Sequence, residues 1–240
     1  MYDKAQSAIH QIIHPDMTTD LNLEEEVKND HYRVAIFGSA RIKPEDPVYK
    51  DVYKFAGNLA KEGFDVVTGG GPGLMEAGST GHKDSDPDDK VHTIGINIRL
   101  PFEQKENPGL EMVETHETFS TRLDEFMLLS NVIVVMPGGI GTCLEFFFTW
   151  QLLQVKHVCR MPLILVGDMW RNMISWIIDN PLKNGYMSSE DLNFVVLVDN
   201  GDEALEVIKK AKIEFDKAGP DVCVNWKEYG KRVDLQDEVA

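Results

Sequence analysis

Positive charge is scarce in this 240-residue chain: 24 lysines and arginines face 40 aspartates and glutamates, for a formal net charge of -16. Nucleic-acid polymers and anionic membrane surfaces reward basic patches, so neither is an expected partner. A small anion could still be held by backbone N–H groups and one or two arginines. Long apolar runs are also missing. No stretch of about 18 apolar residues occurs, and the opening "MYDKAQSAIHQIIHPD" has neither the basic region nor the apolar core of an export signal. Cysteine is sparse as well. Cys143, Cys159 and Cys223 show no metal-ligand spacing, and an odd count does not suggest a disulfide framework. The expectation is a soluble, unexported, cytoplasmic protein. The seven histidines are scattered and no metal centre is expected.

What is present is a regular alternation. Short β-branched runs, "RVAIFG", "DVVTGG", "HTIGINIRL", "LEMVE", "NVIVVMPGG", "MPLILVG" and "NFVVLVD", are separated for the most part by segments with helical spacing or helix-former composition. Such alternation predicts an α/β fold: a single domain with a Rossmann-like, doubly wound parallel sheet of about seven strands, flanked by helices. The domain is expected over residues 31–218, with a helical extension at 1–30 and a polar tail at 219–240. The acidic "DSDPDD" at 84–89 alternates carboxylates as a calcium loop does, but Asp89 stands where the turn glycine belongs and Gly95 where the closing glutamate belongs. A solvated loop is the better reading.

In open parallel sheets ligands sit outside the carboxyl ends of the strands. Three such ends are glycine-rich here: "IFGSAR", "TGGGPGLMEA" and "PGGIGTCLE". Glycines let the backbone approach a ligand, and N–H groups at a helix start favour a phosphate. The second block is out of register for a dinucleotide fingerprint, since Leu74 stands where its last glycine would fall, and "GGIGTC" lacks the lysine of a triphosphate loop. A monophosphate or similar small anion suits the pattern better. Thr142-x-x-Glu145 also has capping-box spacing, which explains both residues with no ligand. Arg122, on the preceding helix, could simply pair with Glu125 at i,i+3.

Taken together these residues resemble the LOG family, named for the cytokinin-activating "lonely guy" enzymes. Its P-G-G-x-G-T-x-x-E signature is matched by Pro137, Gly138, Gly139, Gly141, Thr142 and Glu145, with Arg122 at the position of its upstream arginine. "GGGPGLMEA" is similar to a further glycine block, one residue short, and Gly38 and Ser39 occupy the place of its first strand-end Gly-Ser. The resemblance implies a homodimer that hydrolyses the N-glycosidic bond of nucleoside 5′-monophosphates without metal or organic cofactor. It implies catalytic roles for Arg122 and Glu145, with Arg122 keeping the carboxylate ionised. Gly38, Ser39, Gly70, Gly71, Gly138, Gly139, Gly141 and Thr142 would contact substrate or phosphate, Met75 would flank the base, and Glu103 is the counterpart of a substrate-contacting glutamate. Leu123 and Gln151 depart from the family's lysine and threonine, and both changes are expected near the substrate. A non-catalytic nucleotide-binding regulator or cofactor carrier on the same scaffold is the alternative. A lysine decarboxylase would need a Schiff-base lysine, and neither Lys83 nor Lys156 has the context for one.

Overall fold

The computed structural model describes Thr19–Asp20 and residues 31–101 and 106–218. A two-residue strand, β1 (Thr19–Asp20), precedes β2 (Arg33–Phe37), β3 (Asp65–Thr68), β4 (Thr93–Ile98), β5 (Met112–His116), β6 (Val132–Val135), β7 (Leu163–Val166) and β8 (Val195–Val198). The last seven are the apolar runs of the sequence. They form one sheet in the order β1-β5-β4-β3-β2-β6-β7-β8, every neighbouring pair parallel. The expected helical extension and polar tail lie outside the described residues, apart from the β1 pair.

Between the strands run α1 (Pro47–Lys61), α2 (Leu74–Lys83), α3 (Phe119–Leu129), α4 (Ile140–Gln154), α5 (Asp168–Ile177) and α6 (Gly201–Ala218). Local chemistry sets their starts. Asp46 accepts the Val48 N–H at 2.8 Å with Pro47 at the first helical position, and Thr118 accepts the Thr121 N–H ahead of α3. Strand side chains alternate between two cores. Val34 and Ile36 of β2 pack with Phe55 and Leu59 of α1 and with α2 and α6 on one face. Ala35 and Phe37 pack with Phe126 of α3, Phe146 and Trp150 of α4, and Trp170 of α5 on the other. Both faces are covered, so the central strands read as unbroken apolar runs.

The acidic segment is a solvated turn that uses its own carboxylates: Asp86 accepts the Lys90 and Val91 N–H groups, and Lys90 pairs with Asp88 at 2.7 Å. Cys143 is a free thiol, whereas Cys159 is disulfide-bonded. Among the described residues no helix is long and apolar enough to cross a membrane.

Candidate functional site

The strand order reverses between β2 and β6: the chain leaves β2 towards β3, β4 and β5 and returns to β6 on the opposite side. β2 runs on to α1 on one face, while β6 runs on to α4 on the other, so a crevice opens between the two strand ends. Ser39 ties the converging loops together. Its N–H donates to the Pro137 carbonyl at 3.1 Å, its carbonyl accepts the Leu74 N–H at 2.9 Å, and its Oγ accepts the Arg41 N–H at 3.1 Å.

A cavity of about 470 Å³ occupies this crevice. Of the sequence candidates, Gly38, Ser39, Met75, Arg122, Gly139, Gly141, Thr142 and Glu145 line it. Gly70, Gly71 and Gly138 do not, for separate reasons. Gly70 has a φ of 71° and a Cβ there would overlap Asn97, while its carbonyl and that of Gly71 accept from Asn107. A Cβ on Gly138 would lie 2.2 Å from the Thr142 Oγ1. These glycines shape the loops without touching the cavity. Glu103 lies outside the described residues. Eight lining residues were not among those candidates: Ile36, Phe37, Ala40 and Arg41 at the end of β2, Gly69, and the apolar Ile98, Leu100 and Ile140. Arg41 sits in the "FGSAR" turn, and Gly69 opens the glycine block one residue ahead of the pair that was singled out; the apolar three carry no spacing signal.

The capping box does not form. Gly139 is the N-cap of α4 with no side-chain cap, and the first helical bond runs from the Cys143 N–H to the Gly139 carbonyl at 3.0 Å. The Gly138–Gly139 turn starts the helix at Ile140, so Thr142 falls inside it and its side chain packs against Gly138. The first-turn N–H groups of α4 therefore have no side-chain partner, which leaves the positive end of the helix open to an anion. A Cβ on Gly139 or Gly141 would meet nothing within 4 Å, so both faces open onto free space beside those groups.

Glu145, a turn further along, faces Arg122. The Nη1 of Arg122 donates to the Glu145 Oε1 at 3.0 Å, its Nε donates to the Ile96 carbonyl of β4 at 2.7 Å, and its guanidinium carbon lies 5.1 Å from the Phe126 ring centre. The i,i+3 pair with Glu125 is not made; Glu125 is bound to His116 instead. Burial pushes the Glu145 carboxyl above its ordinary value, and the charge and hydrogen bond of Arg122 oppose that shift without cancelling it. The expectation that Arg122 would hold the carboxyl low is thus corrected: desolvation outweighs the cation. Leu123 and Gln151 are corrected too. Leu123 is buried in the α3 packing, and Gln151 lines a separate cavity of about 270 Å³ with Trp150 and Trp176. No lysine is among the described residues lining the larger cavity.

Residues 70–229 match the model of a family described as "Possible lysine decarboxylase". Cytokinin riboside 5′-monophosphate phosphoribohydrolase LOG2 of Arabidopsis thaliana is 25% identical over 191 residues, covering 78% of this chain and 86% of that protein. The pyrimidine/purine nucleotide 5′-monophosphate nucleosidase of Escherichia coli (strain K12) is 21% identical over 184 residues, covering 74% of this chain and 40% of its own length. Among solved structures, the molybdenum cofactor binding protein of Rippkaea orientalis superposes with a TM-score of 0.56 at 22% identity, covering 75% of this chain and 96% of that one. That likeness is one of fold.

Proposed function

The chain belongs to the LOG family, whose model bears the description "Possible lysine decarboxylase", and from that premise we propose that it hydrolyses the N-glycosidic bond of nucleoside 5′-monophosphates, releasing free base and ribose 5-phosphate. The observation that carries this reading is the Arg122–Glu145 pair standing at 3.0 Å beside an uncapped helix start in one cavity. The 5′-phosphate lies against the α4 N-terminus between Gly139, Gly141 and Thr142, with Ser39 and Arg41 on the facing loop. The ribose then reaches Glu145. As the C1′–N bond lengthens its electrons pass to the base, the carboxylate stabilises the positive charge left on the sugar and orients the water that adds to C1′, and the proton that this water loses replaces the sugar on the base nitrogen. Arg122 holds that carboxylate in place. Gripping the phosphate supplies binding energy remote from the reacting bond, so the parent nucleoside reacts far more slowly. Among the described residues that line this cavity none is a lysine, as the Schiff base of a decarboxylase would require.

Incubation with a panel of purine and pyrimidine monophosphates, followed by chromatography for free base, tests the activity and identifies the base. Tight binding without product would instead make the chain a nucleotide carrier.

Gly141 gives a separate test of the phosphate cradle. A methyl group there meets no protein atom, and alanine is favoured over glycine inside a helix by about 1 kcal/mol. Gly141→Ala is therefore expected to melt no lower than the unmutated chain, while the KM for AMP rises roughly tenfold as the methyl intrudes on the phosphate. An unchanged KM would remove the phosphate from this helix start.

We further propose a homodimer built on the outer face of α4. Ile140, Leu144, Phe147 and Val155 are exposed along this helix, a stripe too apolar for a solvated face. Leu144→Glu together with Phe147→Glu should convert a dimer to a monomer in sedimentation velocity. A sedimentation coefficient unmoved by both charges would place the interface elsewhere.

A further inference from the structure

We propose that Gly69 is a positioning residue, the space left by its missing side chain being what lets the Arg122 guanidinium stand against Glu145; the inference rests on the hydrolase reading of that pair. A Cβ on Gly69 would lie 2.3 Å from the Arg122 Nη2 and 2.7 Å from the Met75 Sδ, far inside van der Waals contact. Space, not backbone conformation, imposes the glycine. Gly70 and Gly73 take φ values of 71° and 72°, where other residues are strained, whereas Gly69 is not among the positive-φ positions and its backbone accepts any residue. The sequence block "GGGPG" thus has two kinds of glycine in it, and only the first faces the reactive pair.

Arg122 has no slack with which to absorb a methyl group. Its Nε is fixed to the Ile96 carbonyl, its Nη1 to Glu145, and the Phe126 ring lies against its guanidinium. Guanidinium nitrogens are coplanar and rigid, so swinging Nη2 away from residue 69 carries Nη1 and Nε with it. Relief of the clash therefore breaks the contact to Glu145 or the one to Ile96. Met75, a flexible thioether, moves aside more easily. Because the atoms in the way are the ends of two side chains, the fold survives the substitution and only the reactive geometry shifts.

Gly69→Ala is expected to lower kcat for AMP on the order of a hundredfold, the size of loss that an ångström of misplacement produces, with little change in melting temperature. With Arg122 withdrawn, the Glu145 carboxyl also titrates higher, so the acid limb of the kcat profile moves to higher pH. A double-mutant cycle separates this from a general packing defect. In an Arg122→Lys background, which has no Nη2 atom, Gly69→Ala should change kcat by less than about twofold. An equal loss in both backgrounds, or full activity of the single variant, overturns the assignment. Should the unmutated chain release no base, the hydrolase reading fails on its own, and the crystal structure of Gly69→Ala still decides this point. An Arg122–Glu145 separation beyond about 3.5 Å, or a broken Ile96 contact, supports the clearance role, and both contacts kept overturn it.

Discussion

Glu145→Gln is expected to lower base release from AMP on the order of a thousandfold while the chain still folds and melts only a few degrees lower. The amide keeps the shape of the carboxyl and an oxygen for the Arg122 Nη1, so the 3.0 Å contact survives. What disappears is the negative charge on which the cationic sugar depends. Two opposing terms limit the cost to stability. The neutral amide removes the desolvation penalty that raises the Glu145 carboxyl, but it leaves the buried Arg122 without a counterion, held by the amide oxygen, the Ile96 carbonyl and the Phe126 ring. Helix capping does not enter, because α4 begins at Ile140 and Glu145 caps nothing. Loss of folding in the Gln variant would make the pair structural, and full turnover would remove Glu145 from the chemistry. Circular dichroism and a base-release assay on the same preparation distinguish the two.

The second large effect is on pH dependence. Because burial raises Glu145 above the ordinary glutamate value near 4.5, ionisation is harder in the folded chain than in the unfolded one. Its contribution to stability is therefore full at low pH and is lost as pH rises through the window between the ordinary and the raised value. Activity runs the other way, since the carboxylate is the working form. The rate rises with pH through the raised value, which places the acid limb above that of an exposed glutamate. Arg122→Ala removes both influences that pull the carboxyl down, so its limb moves further up in pH, with kcat reduced on the order of a hundredfold. A limb that stays in place as kcat falls would assign Arg122 to the substrate alone. A rate that falls with rising pH through the same window would make the protonated carboxyl the active form.

Much of the fold was legible because its strands are buried on both faces: the unbroken apolarity of "VIVV" and "LILV" fits the middle of a covered sheet. Strand β1 was not, since Thr19 and Asp20 carry no apolar signal and owe their place to backbone pairing with β5. The Gly-Gly turn, the buried arginine and the carboxylate were visible as a motif, but their register on the helix was not. A spacing of three residues fits a capping box equally well, and only the turn at Gly138 and Gly139 decides that the helix starts at Ile140. The direction of the Glu145 shift was likewise hidden. Charge proximity can be read from a motif, whereas desolvation depends on packing contributed by distant segments. For the same reason Gly69 was passed over in favour of Gly70 and Gly71, because which of three adjacent glycines faces Arg122 is fixed by strand β3 and not by composition.

The most direct measurement is simultaneous quantitation of adenine and ribose 5-phosphate formed from AMP, with adenosine as the control, by the unmutated chain and by Glu145→Gln. Equimolar base and sugar phosphate from AMP, little or none from adenosine, and loss of both products in the variant are the predicted result. AMP recovered intact after binding, or equal cleavage by the variant, would contradict it.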